Sequence, residues 1–231
     1  HALGGLTFDL QKNTFVSLIG PSGSGKSTLL RVLAGLVPPT RGEFQFDTIQ
    51  PKVGLVFQKA NLMPWRRVME NISLPLELQG IPMDAVQRRA QELIELVGLE
   101  DFEQAYPRDL SGGMAQRVAI ARSLMHDPDI LLLDEPFGSL DALTRERMGD
   151  ELLHIWQVRR KTVLMVTHSI SEAIYLSDRV LVLSPRPGKI ALDLAVDLPR
   201  PRTPEMRYLP KFGALAHLLR DNLREEGNQS G

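Results

Sequence analysis

The fold of this chain is decided by one stretch of sequence, Gly20-Pro21-Ser22-Gly23-Ser24-Gly25-Lys26-Ser27, which fits the pattern G-x-x-x-x-G-K-[ST]. Its glycines let the backbone curl so that successive N–H groups face a phosphate. Lys26 can then reach the terminal phosphates, Ser27 can place its hydroxyl on magnesium, and Thr28 can add a hydrogen bond. This stretch, here called the phosphate loop, predicts a site for a nucleoside triphosphate. It does not indicate to which of the many families with such a loop the chain belongs.

The residues on either side of the phosphate loop have the patterns of a strand and a helix. Phe15 to Ile19 form an apolar run that stops at Gly20, and the segment 27–34 has helical spacing. Random matching gives the loop pattern in roughly one chain per hundred of this length, and these flanks lower that chance. Strand, loop and helix in this order indicate an α/β fold.

Other strands are predicted from periods of two and from continuous apolar runs. Leu6, Phe8 and Leu10 alternate with polar residues, which predicts a half-exposed strand. Unbroken apolar runs are typical of parallel strands covered by helices on both faces. The remaining predicted strands lie at 43–46, 53–57, 130–133, 163–166 and 180–183.

Between about residues 83 and 126 the apolar period becomes that of a helix. A first helix should end at Gly98, and a second should begin after the N-cap residue Ser111. The residues predicted to face inward are Val86, Ala90, Leu93, Ile94, Val97, Val118, Ala121 and Leu124 or Met125.

We therefore predict a single domain, 1–231, with an α/β core at 1–82 and 127–190, a helical subdomain at 83–126 and a tail at 191–231. In the tail, Phe212, Leu215, Leu219 and Leu223 keep helical spacing. A packing helix is the favoured interpretation, and a regulatory role is the alternative.

Composition excludes several classes of protein. The formal net charge is -1, from 27 basic and 28 acidic residues, so no strong field favours nucleic acid or an anionic membrane. The absence of cysteine excludes disulfides and thiolate metal sites. No window approaches the roughly 18 consecutive apolar residues of a membrane-spanning helix. Because the chain starts at His1 almost directly in a strand pattern, we expect that upstream sequence has been removed or left out.

Two further segments could complete a phosphate site. Leu110 to Arg117 place two glycines at a helix start, where free N–H groups bind anions, although such a segment alone is more often a turn and cap. Asp134 and Glu135 close an apolar strand at the sheet edge where ligands of such folds sit. Asp134, through water, and Ser27 would hold magnesium, and Glu135 would polarise the attacking water. A solvated strand end is the alternative.

Two single residues follow strands at the same predicted edge. His168 comes after the run 163–166, where a histidine suits a contact to the γ-phosphate, although a lone histidine is more often structural. Gln58 ends the run 53–57, and its amide could ligate magnesium or orient water. We treat Glu135, His168 and Gln58 as the candidate catalytic residues.

Together these residues resemble the ATP-binding subunits of ABC transporters, over nearly the whole chain. The resemblance implies a P-loop NTPase core with an antiparallel β edge and an inserted helical subdomain. It identifies Gln58 as the Q-loop glutamine, segment 110–114 as the signature, segment 139–141 as the D-loop and His168 as the switch histidine. In that family two copies face head to tail, so the signature of one chain closes over ATP on the other. The residues that the resemblance adds to the nucleotide site are Ser111, Gly112, Gly113 and Asp141.

More narrowly, the chain resembles the ATP-binding subunits of bacterial importers of nitrate, sulfonates and taurine. The segments that carry this resemblance are 63–67, 176–180 and 184–190. This implies an ATP- and magnesium-dependent ATPase, peripheral on the cytoplasmic face of the cell membrane. Its expected partners are a second copy, permease subunits and, indirectly, an external solute-binding protein, with no nucleic acid. The alternative is a soluble ABC ATPase that acts on nucleic acid or ribosomes, but the chain lacks the usual coiled-coil insertions, tandem domains and basic arms. A regulatory module without turnover is disfavoured by Glu135 and His168.

The chain departs from the family pattern in three places. Met114 stands where the signature usually has glutamine, and segment 48–52 is short. The aromatic residue that usually stacks on adenine is expected upstream of His1.

Trp65, beside Arg66 and Arg67, is predicted to anchor a membrane subunit, with a covered core tryptophan as the alternative.

Overall fold

The computed structural model describes residues 1–228, which fold around a six-stranded sheet. The strands are β1 (Phe15–Ile19), β2 (Val53–Val56), β3 (Ile130–Asp134), β4 (Thr162–Val166), β5 (Arg179–Leu183) and β6 (Ile190–Ala195). The helices are α1 (Lys26–Leu33), α2 (Val68–Glu77), α3 (Met83–Leu96), α4 (Gly112–Leu124), α5 (Ala142–Arg159), α6 (Ile170–Leu176) and α7 (Pro210–Asn228). Short 3-10 turns lie at Pro107–Asp109 and Pro204–Tyr208.

The sheet order is β2-β3-β4-β1-β5-β6. The first five strands are parallel, and β6 pairs antiparallel with β5, so the predicted antiparallel edge is present. Alternate residues of β1 enter different cores: Val16 and Leu18 pack with α1, whereas Phe15 and Ile19 face the larger helical layer. Burial of both faces explains why 130–133 and 163–166 are continuous apolar runs and why β1 is apolar except for Ser17. Because the strands are parallel, the residues that follow β1, β2, β3 and β4 meet at one edge.

Two predicted strands do not form. Residues 6–10 alternate between half-buried and exposed as their sequence indicates, and Leu6, Phe8 and Leu10 pack on the α1-side core. Their backbone nevertheless joins no ladder, and only Leu3 forms an isolated bridge, with Gly188. Segment 43–46 is also irregular, although Phe46 packs on the same core. The period of two therefore predicted which side chains point inward. It could not predict whether a neighbouring strand was close enough to pair with.

The helical subdomain has the predicted inward faces. Every residue predicted to face inward in α3 and α4 is buried. Gly98 ends α3 with φ +61°, and Ser111 caps α4 by accepting a hydrogen bond from Met114 N at 3.2 Å. Helix α2 packs on both α3 and α4. The signature segment therefore starts a helix that is fixed from two sides.

The end of the chain packs on the domain. Strand β6 begins at Ile190, the last residue of the predicted core, and runs into the predicted tail. Phe212 and Leu219 of α7 are buried, and α7 contacts α6, β5 and β6. The packing helix is thus confirmed, while the four part boundaries stay a prediction. No helix in the described residues is long and apolar enough to cross a membrane.

Two arginines of the tail, Arg200 and Arg202, bind the carboxyl end of α6. Arg202 donates to the carbonyls of Ile174 (2.6 Å), Tyr175 (3.2 Å) and Ser177 (2.9 Å), and Arg200 donates to that of Leu176 (2.7 Å). Burial of the Arg202 guanidinium, aided by repulsion from Arg200, lowers its pKa to about 10. The last carbonyls of a helix lack intrahelical donors, so these arginines supply what α6 needs at that end.

Candidate nucleotide-binding site

The phosphate loop joins β1 to α1 through backbone conformations that favour glycine. Gly23 has φ +80° and Gly25 has φ +99°, both in the left-handed region. A loop of this shape lets backbone N–H groups point at a common anion, next to the amino terminus of α1. Thr28 lies half-buried in the first turn of α1, while Ser22 and Gly23 at the tip of the loop are exposed.

The turn between β5 and β6 supports the phosphate loop from behind. A Cβ added at Gly188 would lie 2.1 Å from the carbonyl oxygen of Ser24, far inside contact distance. Gly188 also pairs with the first residues of the chain, donating to Ala2 O at 3.0 Å and accepting from Gly4 N at 2.9 Å. The absence of a side chain at Gly188 is therefore required for the loop to keep its position.

Lys26 is buried at the start of α1, and its ammonium group lies over the loop. Its Nζ donates to the carbonyls of Gly20 at 2.9 Å and Pro21 at 2.8 Å. Burial lowers the pKa of Lys26, and the charges of Glu135 and Asp134 oppose this shift. The two carboxylates favour the charged form of Lys26, which would supply a positive charge to a phosphate bound in the loop.

Ser27 and Asp134 meet between α1 and the end of β3. Ser27 Oγ donates to Asp134 Oδ1 at 2.9 Å. Burial raises the pKa of Asp134, with Glu135 adding to the shift and the Ser27 hydrogen bond opposing it. Adjacent ligands of octahedral magnesium, each about 2.1 Å from the ion, are themselves about 2.9 Å apart. The two oxygens therefore fit two neighbouring positions of a magnesium shell.

Glu135 and His168 leave neighbouring strands side by side. The register pairs Asp134 with Val166, and the Glu135 amide donates to Val166 O at 2.9 Å. Glu135 has φ +48°, a left-handed conformation that is costly for a residue with a side chain and is concentrated at functional sites. In this conformation its Oε1 lies 2.5 Å from His168 Nε2.

Gln58 approaches the same place from β2. A Cβ added at Gly138 would lie 3.0 Å from Gln58 Nε2 and 3.5 Å from Glu135 Oε2, so both polar groups lie against Gly138. The structure thus brings together the phosphate loop, Asp134, Glu135, His168 and Gln58 at one sheet edge. This is the arrangement that the positions of these residues after their strands predicted.

The signature segment packs against the D-loop and the first turn of α5. Gly112 packs against Leu140 and Gly113 against Thr144, at the start of α5. Asp141 caps α5 by accepting from Thr144 N at 3.0 Å. Hydrogen bonds from the Thr144 side chain and then from its backbone N–H lower the pKa of Asp141. Within residues 1–228 no hydrogen bond joins Ser111 to the phosphate loop.

Three features near the site were not foreseen from the sequence. They are the buried carboxylate of Glu172, its partners Arg145 and Thr167, and the contact of Gly188 with the phosphate loop. The sequence did hold a signal for Glu172, because Ser169-x-x-Glu172 has capping-box spacing. Only half of that box forms: Ser169 Oγ accepts from Glu172 N, but the Glu172 carboxylate turns to Thr167 and Arg145.

The fold and the site define a P-loop nucleoside triphosphatase with a helical insertion. Residues 3–138 match the family model described as ABC transporter. An uncharacterized ABC transporter ATP-binding protein of Methanocaldococcus jannaschii is 49% identical over 228 residues, covering 96% of this chain and 85% of the relative. The taurine import ATP-binding protein TauB of Rhizobium johnstonii is 46% identical over 230 residues, covering 95% and 88%.

A solved dimeric ATP-binding cassette, in a post-hydrolysis state with ADP and Pi, superposes with a TM-score of 0.74 at 34% identity, covering 85% of this chain and 91% of that chain. The chain belongs to the ABC transporter family. It is an ATP-binding cassette with the fold of the ABC ATPases, and its enzymatic activity is ATP hydrolysis.

Proposed function

We propose that this chain powers an ABC importer, with two copies enclosing ATP beneath a membrane permease. One observation carries the hydrolytic part of this proposal. The Glu135–His168 pair lies beside the Ser27–Asp134 pair at the carboxyl edge of the parallel sheet. A water-activating carboxylate and a metal-binding pair are the two things that hydrolysis of a phosphoanhydride needs in addition to a phosphate cradle.

The roles of the single residues follow from their positions. The backbone N–H groups of residues 20 and 22–28 and the Lys26 ammonium would bind the triphosphate. Ser27 and Asp134 would hold magnesium directly or through water, with Gln58 as a further ligand. Bound magnesium would neutralise charge on the β- and γ-phosphates. Glu135 accepts the proton of the attacking water, while His168 fixes the Glu135 carboxylate and reaches toward the γ-phosphate.

The dimer is supported by what the chain leaves exposed. Ser111, Gly112 and Asp141 all lie at the surface, and so does Leu143, which is 76% exposed at the start of α5. Because they are exposed, these groups are available to meet the phosphate loop of a second copy. Met114 packs on the core, so this position of the signature offers no polar group to the second nucleotide.

The permease contact is proposed at Trp65. Its side chain is 72% exposed, so the alternative of a covered core tryptophan is wrong. The neighbouring arginines are engaged within the chain: Arg66 Nη1 lies 2.7 Å from Glu77 Oε2, and Arg67 contacts Tyr106 and Gln104. The arginines therefore fix the segment, and the indole is the group that it presents. Docking there would place the chain on the cytoplasmic face of the membrane.

The solute class follows from the importer relatives. Taurine is a small sulfonate, and the 46% identical TauB is named for its import. This favours uptake of taurine, another sulfonate or a similar small anion such as nitrate, delivered by an external solute-binding protein, over an action on nucleic acid or ribosomes.

The test is uptake by the assembled transporter. The chain is purified with the permease and binding protein encoded beside it and reconstituted into liposomes with ATP on the side of the chain. We expect ATP-dependent accumulation of labelled taurine, an alkanesulfonate or nitrate, and none with Glu135→Gln as the matched control. ATP hydrolysis stimulated by DNA or ribosomes, with no uptake of any of these solutes, would overturn the importer proposal.

A further inference from the structure

Arg145, in the first turn of α5, holds the turn that links Glu135 to Asp141. Its Nη2 donates to Leu140 O at 2.9 Å, and its Nε donates to Phe137 O at 3.3 Å. The same Nε lies 3.5 Å from Glu172 Oε1, on α6. One guanidinium therefore connects the D-loop of the chain to the helix that follows His168.

Glu172 continues this connection to the residues on both sides of His168. Its Oε2 accepts from Thr167 Oγ1 at 2.6 Å, and Thr167 Oγ1 accepts in turn from Ser169 N at 3.0 Å. The Glu172 side chain is 13% exposed, and burial raises its pKa. The segment 167–169 is thus tied to one carboxylate, with His168 at its centre.

The Arg145–Glu172 pair borders an open space between two helices. A cavity of about 140 Å³ lies between α5 and α6, and Arg145, Glu172 and Ser169 line it. The Arg145–Glu172 pair therefore bridges α5 and α6 beside this space, in addition to the apolar contacts of the two helices.

We propose that Arg145 and Glu172 are positioning residues for ATP hydrolysis. Through them, the position of the D-loop determines where His168 lies relative to Glu135. Asp141, at the end of that loop, and Leu143, in the first turn of α5, are exposed where a second copy would close. Closure of the dimer would then change the position of His168 relative to Glu135 in the same chain. The change would pass through Arg145, Glu172 and Thr167. The inference rests on the hydrolytic role proposed for Glu135.

The experiment compares steady-state hydrolysis by Glu172→Gln, Arg145→Met and the double variant. Glutamine keeps the size of the side chain and an acceptor for Thr167 but removes the charge that pairs with Arg145. Misplacement of reacting groups by about 1 Å can cost a hundredfold in rate. We expect kcat to fall by about ten- to a hundredfold in each single variant, with KM for ATP changed by less than about twofold. The double variant should fall no further than the worse single variant, because both break one connection.

The matched control is Asp193→Asn, which removes the carboxylate that faces Arg179 across the β5–β6 strand pair, with Arg179 Nε and Asp193 Oδ1 2.6 Å apart. It lies away from the D-loop and should leave kcat within about twofold, since such ion pairs contribute little. If the control and Glu172→Gln lower kcat equally, or if the two single effects multiply in the double variant, the pair is only structural and the proposal is wrong.

A folding defect is separated by Arg145→Lys. Lysine keeps the charge but cannot donate to two carbonyls and a carboxylate in one plane, so it should keep the melting temperature and still lose kcat. Full activity of Arg145→Lys would overturn the proposal. Wild-type hydrolysis and its loss in Glu135→Gln, measured alongside, show that the hydrolytic role itself holds.

Discussion

His168 Nε2 lies 2.5 Å from Glu135 Oε1, although the two residues belong to the ends of different strands. The pairing of Asp134 with Val166 in β3 and β4 brings them together, and the left-handed backbone of Glu135 turns its carboxylate toward the imidazole. A carboxylate held in this way has one oxygen on the histidine and the other free to accept a proton from water. The Glu135–His168 pair is therefore a product of strand register.

Substitution Glu135→Gln should abolish steady turnover and leave ATP binding intact, because glutamine keeps the size of the side chain but accepts no proton. Removal of a general base typically costs about 10² to 10⁴ in rate. Phosphate release and equilibrium binding of labelled ATP, measured on the same preparation, check both halves. Hydrolysis near the wild-type rate would contradict the role of Glu135.

Magnesium-ATP should drive two copies together, since within the described residues the signature serine makes no hydrogen bond to the phosphate loop of its own chain and is exposed to a second copy. In the Glu135→Gln background, light scattering should show a dimer with ATP and a monomer without it. Adding Ser111→Arg should prevent the dimer through bulk and misplaced charge. It also removes the α4 cap, which costs about 1 kcal/mol, so the chain should stay folded with a slightly lower melting temperature. A monomer that binds ATP and turns it over normally would refute the shared site.

Substitution Trp65→Ala should separate hydrolysis from transport. The indole is exposed and contributes little to the core, so the isolated chain should keep its ATPase rate. In the reconstituted transporter, uptake should fall at least tenfold, because a buried tryptophan anchor typically contributes 2 kcal/mol or more to an interface. Leu209→Ala, an exposed apolar residue beside α7, is the control. Unchanged uptake with Trp65→Ala would place the docking site elsewhere.

Substitution Gly188→Ala should weaken ATP binding although Gly188 belongs to no nucleotide motif. Its new Cβ would meet Ser24 O at 2.1 Å, so either the β5–β6 turn or the phosphate loop must move. Overpacking of this kind costs about 1 to 3 kcal/mol, and we expect KM for ATP to rise about tenfold.

Gly213→Ala is the matched control for Gly188→Ala. Gly213 lies in α7 with open space around its Cβ position, and alanine there should stabilise the chain by about 0.5 to 1 kcal/mol without changing KM. Equal KM values in both variants would show that the turn does not support the loop.

The parts of the molecule that follow from local spacing could be predicted. The phosphate loop, the α3 face from Val86 to Val97 and the Ser111 cap depend on neighbours a few positions away in the sequence. Strand ends were equally informative, because the carboxyl ends of parallel strands must share an edge. That rule alone grouped Gln58, Asp134 and His168.

What the sequence could not supply depends on distant partners. The segment containing Leu6 and Phe8 buries alternate side chains but finds no ladder, and nothing local distinguishes these two cases. Glu172 follows Ser169 at capping-box spacing, yet its carboxylate turns to Thr167 and to Arg145 on another helix. The contact of Gly188 with the phosphate loop arises from the antiparallel turn between β5 and β6.

The two tail arginines have a consequence for any attempt to shorten this chain. Helix α6 follows His168 directly, and the carbonyls of its other end, from Ile174 to Ser177, obtain their donors from Arg200 and Arg202. A version cut after β6 would leave those acceptors unpaired next to the core, at a cost of about 1 to 3 kcal/mol for each buried group. The shortest version of the chain that keeps helix α6 intact therefore extends past Arg202. An affinity tag at the carboxyl end belongs beyond that residue.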